Sequence, residues 1–119
     1  MKKRFTIPIF KADLWLVVAD DMPTARRKMS KEFGDMPADM DDGAALSSYD
    51  GAGRFGLFFD VKYITPEVVA HECFHTTHRI LDYVNANFDK EHHETAALLH
   101  GYIMGLVMNE LYTMKAKLK

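Results

Sequence analysis

Two histidines, His71 and His75, stand four residues apart with Glu72 directly after the first. On an α-helix of 3.6 residues per turn such a pair is separated by about 40° around the axis, so both imidazoles can reach one tetrahedral zinc ion. Glu72 falls on the adjacent flank, too displaced to join the ligands yet near enough to take a proton from zinc-bound water. His71-Glu72-Cys73-Phe74-His75 therefore has the H-E-x-x-H pattern. The chemistry this predicts is hydrolysis of a peptide or other amide by metal-activated water, with Glu72 as general base. A third protein ligand is available in Glu94, 19 positions beyond His75. One helix, a short turn and an antiparallel return would carry Glu94 back towards the paired rings.

Other residues compete for these roles, and each has a plainer reading. His78 extends the motif by one turn on the same face and either joins the metal or hydrogen-bonds at a seam between helices. His92 and His93 flank Glu94 and are rival third ligands or exposed turn residues, while His100 reads as a surface or seam residue. Cys73 lies about 200° around the helix from His71, which makes it a small core hydrophobe despite the affinity of thiolates for zinc. Asp82 is read as a solvated carboxylate or as an orienting partner for a ligand ring. Tyr63 and Tyr102 are the side chains able to polarise a carbonyl, against an ordinary role as aromatic core or rim. Two histidines on a helix face are also often nothing more than surface residues.

The elements around the motif must hold it in place. Phe5–Phe10 and Leu14–Val18 read as two strands of a hairpin; because Pro8 cannot donate to a ladder, the first lies at an edge or Pro8 faces away from its partner. Thr24 to Phe33 reads as a short amphipathic helix stopped by Gly34. Residues 34–43 are acidic and rich in turn formers; their spacing does not fit a calcium-binding EF-hand loop, so they read as a surface loop. Ala45–Tyr49 and Arg54–Phe59 flank Asp50-Gly51-Ala52-Gly53, a tight reversal, and form a second hairpin. The Arg54–Phe59 strand is expected at an edge, where it could bind an extended peptide.

Thr65, Pro66 and Glu67 supply the cap, first-turn proline and dipole-matched acid of a helix that carries the motif and exits at Asn85 to Asp89. A second helix is predicted from about Lys90 to Met114, with Ala97, Leu98, Gly101, Met104, Gly105, Met108 and Leu111 tracing its apolar stripe. Gly101 and Gly105 weaken a helix unless a neighbouring backbone passes close, so tight packing of the two helices is expected there.

A chain of 119 residues with 48% apolar and 27% charged residues suits one domain with a small core, residues 1–119. A net charge of −2, spread along the chain, provides no basic face for nucleic acid and no polybasic anchor for a membrane. Met1-Lys2-Lys3-Arg4 begins like a signal peptide, but Pro8, Lys11 and Asp13 interrupt the apolar run that a signal peptide needs. A lone cysteine forms no internal disulfide, so a reducing cytoplasm is the expected compartment. There is no internal repeat.

His71-Glu72-Cys73-Phe74-His75 followed by Glu94-Thr95-Ala96-Ala97 resembles the gluzincin metallopeptidases over roughly residues 65–105. "AHECFH" with "HHETAALLHGYI" is also similar to small zinc-peptidase-like proteins of phages and prophages, which would place the chain in a host-cell cytoplasm. The resemblance implies Zn2+ held by His71, His75 and Glu94, Glu72 as base, and a peptide or protein substrate; it carries over no oxyanion-stabilising residue. The expected fold is α+β: a mostly antiparallel sheet of about four strands, one short helix, and a C-terminal antiparallel helix pair carrying the zinc. The alternative from another class is a non-enzymatic zinc-binding regulator or inhibitor with a structural or vestigial metal. A third reading is a helix pair used purely for assembly, without metal.

Overall fold

The structure, a computed structural model, describes residues 1–8, 10–34, 45–84, 86 and 93–118. Four strands, β1 (Lys2–Ile7), β2 (Ala12–Ala19), β3 (Ala45–Tyr49) and β4 (Arg54–Asp60), form one sheet in the order β1-β2-β4-β3. The outer pairs are the two expected hairpins, both antiparallel, and the central pair β2·β4 is parallel, with Leu14 beside Phe55 and Leu16 beside Leu57. The fold is α+β with a mostly antiparallel sheet and a C-terminal helix pair. The acidic surface loop read at residues 34–43 falls almost wholly outside the described residues.

Strand alternation builds two cores. Leu14, Leu16 and Val18 of β2, with Phe55, Leu57 and Phe59 of β4, turn to one face beneath α3 (Pro66–Tyr83) and α4 (His93–Leu118). Val17, Ala19 and Phe58 turn to the other, against Met22, Ala25 and Met29. Because both faces are covered, β4 is apolar almost throughout, with six of its seven residues buried. Its expected edge position is therefore corrected: β4 is central, and β3 and β1 are the edges. Pro8 lies just past the end of the edge strand β1, where its missing N–H costs no ladder bond.

Local chemistry fixes the turns. Asp50 accepts the backbone N–H groups of Ala52 and Arg54 and pairs with the Arg54 guanidinium, while Gly51 (φ 79°) and Gly53 (φ 88°) take the left-handed backbone that closes the β3–β4 hairpin. The helix expected from Thr24 to Phe33 divides at Met29 into α1 (Met22–Lys28) and α2 (Ser30–Phe33). Its cap is Asp21, whose carboxylate accepts the Thr24 N–H at 2.8 Å, so the helix begins earlier than Thr24 suggests.

α3 begins as its sequence dictates: the Thr65 hydroxyl accepts the Val68 N–H and Pro66 opens the first turn. α4 runs antiparallel to it. The C-terminal end of α3 meets the start of β4, where Tyr83 packs on Phe55, while α4 passes from Pro8 and Phe10 at its start to Lys3 near its end. The buried stripe of α4 is Ala96, Leu99, Ile103, Val107 and Leu111, not the one expected through Gly101 and Gly105. Those glycines face outwards, and a Cβ at either would meet nothing within 4 Å, so they mark no close approach to α3. Among the described residues no helix is long and apolar enough to cross a membrane.

Candidate functional site

Two opposed faces of α3 decide where its chemistry lies. Val69, Cys73, Thr76, Thr77, Ile80 and Leu81 are buried against the sheet and α4. About 180° away, His71, His75, His78 and Asp82 are exposed. The predicted pair is brought together: His71 Nε2 and His75 Nε2 are 3.1 Å apart, with their rings edge to face at 4.7 Å between centroids. Two nitrogens on one tetrahedral zinc ion stand about 3.3 Å apart, so the spacing of these two donors fits a shared divalent cation. The same spacing also fits one ring donating a hydrogen bond to the other.

Glu72 sits beside the pair on the flank that faces β3. Its Oε1 is 3.9 Å from His71 Nε2, and its side chain is 13% exposed against 68% for His71. Ala45, Glu67, Val68, His71 and Glu72 line an open depression of about 320 Å3 between α3 and the edge strand β3. A buried polar clamp fixes that wall. Ser47 Oγ and Thr76 Oγ1 share a hydrogen at 3.0 Å, and the Arg79 guanidinium donates to the Ser47 carbonyl and hydroxyl while stacking on Tyr49 at 4.9 Å. The motif gives no sign of these residues; Ser and Thr at positions of otherwise apolar rhythm are the trace they leave in the sequence.

Glu94 does not join the pair. Thr77 Oγ1 lies 3.3 Å from His100 Nδ1, which sets the two helices level at those residues. Glu94 precedes His100 by six positions on the antiparallel helix, and His75 precedes Thr77 by two, so they stand about 12 Å apart along the axes at 1.5 Å per residue. The cause is the length of α3, which continues eight residues beyond His75 to Tyr83 before the chain turns. Convergence of Glu94 on the rings requires a turn closer to the motif. Among the described residues no three His, Cys, Asp or Glu side chains are gathered closely enough to hold one metal ion.

The rivals fall elsewhere. His78 is exposed on the same face as the pair, and His93 is exposed at the start of α4; His92 lies outside the described residues. His100 is half-buried at the helix seam, with Phe74 against its ring at 6.1 Å. Tyr102 lines a different groove with Ile7, Pro8 and Phe10, and Tyr63, stacked under Lys62, is absent from the walls of the depression. Cys73 is fully buried, and desolvation, helped by the nearby Glu72 carboxylate, pushes its thiol up to about 12. It is a core residue on the side of α3 away from the histidines. Comparison with known protein families, curated proteins and solved structures finds no match to this chain.

Proposed function

We propose that the chain is a zinc-dependent hydrolase acting on a peptide or other amide, with His71 and His75 holding the metal and Glu72 serving as general base. The observation that carries this reading is the 3.1 Å approach of the two Nε2 atoms on an exposed helix face, with the Glu72 carboxylate next to them. A bound zinc ion supplies Lewis acidity, which lowers the pKa of water and polarises a carbonyl. His71 and His75 present their Nε2 atoms as the metal ligands. Glu72, in the wall of the depression beside His71, takes a proton from the attacking water in this reading and passes it to the leaving amine. Edge strand β3, held against α3 by Arg79 and Thr76, contributes Ala45 to the opposite wall of the depression. Two protein ligands are one fewer than zinc hydrolases commonly use, so the metal is expected to exchange readily. The carboxylate role is tested with Glu72→Gln, which keeps the shape and removes the base. Turnover of a peptide library in the presence of zinc should fall by about 10²- to 10⁴-fold. Equal turnover in the variant removes the mechanism, and zinc binding without turnover of any peptide leaves a metal-binding protein in its place.

A further inference from the structure

From Leu98 to Tyr112 the outward face of α4 is mostly apolar, with Asn109 exposed on it and Glu94 at its start. Opposite the buried stripe, helical geometry aligns Leu98, Gly101, Gly105 and Tyr112, with Tyr102 and Met108 on the flanks. Leu98 is 68% exposed, Tyr102 48%, Met108 38% and Tyr112 77%. Between Thr95 and Met114, about five turns, the one charged residue is Glu110, and it turns to the β1 side to pair with Lys3. A helix that is apolar all round is normally covered on every side. At about 200 Å2 for a large side chain, these exposed fractions amount to about 450 Å2, within the range of the largest patch on a monomer and often functional.

Beside this face lies a groove of about 560 Å3, walled by Ile7, Pro8, Phe10, Leu98 and Tyr102. Knob and hole are thus on one chain. If a second α4 crosses antiparallel midway between Gly101 and Gly105, its Tyr112 falls level with position 94 of the first helix, at the end of the groove where Thr95 and Leu98 stand. Glycine is costly inside a helix, and open space above both glycines lets two backbones meet there. Each copy then covers its apolar face and its groove, and the pair removes about 900 Å2 from water, close to the floor of about 1,000 Å2 for a specific interface.

We propose that α4 is a self-association surface on which two copies of this chain pair antiparallel across Gly101 and Gly105, each seating Tyr112 in the groove of the other. The relation is two-fold, since the same residues serve both sides. Sedimentation velocity of the full chain from about 1 to 300 µM tests it, the range that an interface of this size addresses. The expected result is a monomer–dimer equilibrium with a micromolar Kd. Gly105→Lys, whose side chain enters open space, should raise that Kd by about 100-fold with an unchanged far-ultraviolet circular dichroism spectrum, and Tyr112→Ala by about 10-fold. Leu98→Glu, at an exposed position, repeats the test should Gly105→Lys fail to fold. A chain that stays monomeric at 300 µM, or a dimer that these substitutions leave intact, overturns the proposal.

Discussion

Raising the pH above 9 should destabilise this protein through one buried thiol. Cys73 is fully buried, and its folded-state value of about 12 stands above the ordinary 9.0 because burial penalises the thiolate. The unfolded chain releases the Cys73 proton first. The stabilisation is therefore complete below pH 9 and is lost as the pH rises through 9 towards 12. Integrated to pH 11, the difference is about 3 kcal/mol, a large part of the stability of a small domain. Urea denaturation of the wild type and Cys73→Ala at pH 8 and pH 11 separates this group from the lysines and tyrosines that titrate in both proteins. The wild type should lose about 3 kcal/mol more than the variant between the two pH values. The same value leaves about one thiol in 10⁴ ionised at pH 8, against about one in 10 when unfolded, so a disulfide reagent should label the native chain about 1,000-fold more slowly. Equal pH dependence in the two proteins, or native labelling as fast as in denaturant, would refute the placement of Cys73 in the core and reopen it as a metal ligand.

Ile103, fully buried at the centre of the α4 stripe, should cost about 2–5 kcal/mol when truncated to alanine, measured by chemical denaturation, whereas Leu98→Ala on the exposed face should change monomer stability little. Gly53→Ala should lower the melting temperature, because φ is 88° there and the new Cβ would meet the Tyr83 hydroxyl at 3.0 Å; a loss of about 1–2 kcal/mol is expected, and a neutral result would dispute the hairpin geometry.

The parts of this fold that are legible in the sequence are those with local causes. Asp50, Gly51 and Gly53 announce their hairpin because the turn needs a side-chain acceptor and positive φ, and Thr65-Pro66-Glu67 announces α3 because helix starts leave backbone N–H groups to satisfy. The parallel pairing of β2 with β4 joins residues some 40 positions apart, and no local pattern encodes it. The unbroken run Phe55 to Phe59 is the residue-level hint that β4 is covered on both faces. On α4, apolar residues on nearly every side blur the choice of buried stripe, so Gly101 and Gly105 suggest a contact with α3 although they face outwards. The site divides in the same way. The His71–His75 approach follows from helical spacing alone and is legible, whereas the position of Glu94 depends on where α3 stops, a tertiary property carried by Ile80, Leu81 and the packing of Tyr83 on Phe55.

Zinc content reports on the His71–His75 pair without reliance on any substrate. Purified chain dialysed against zinc at about 100 µM, a level suited to a weak two-ligand site, and assayed by elemental analysis should hold one zinc ion per chain. His71→Ala and His75→Ala should each lose it, and Glu94→Ala, about 12 Å away along the helices, should keep it. Wild-type protein that takes up no zinc, or uptake undiminished in both histidine variants, would mean that His71 and His75 hold no metal.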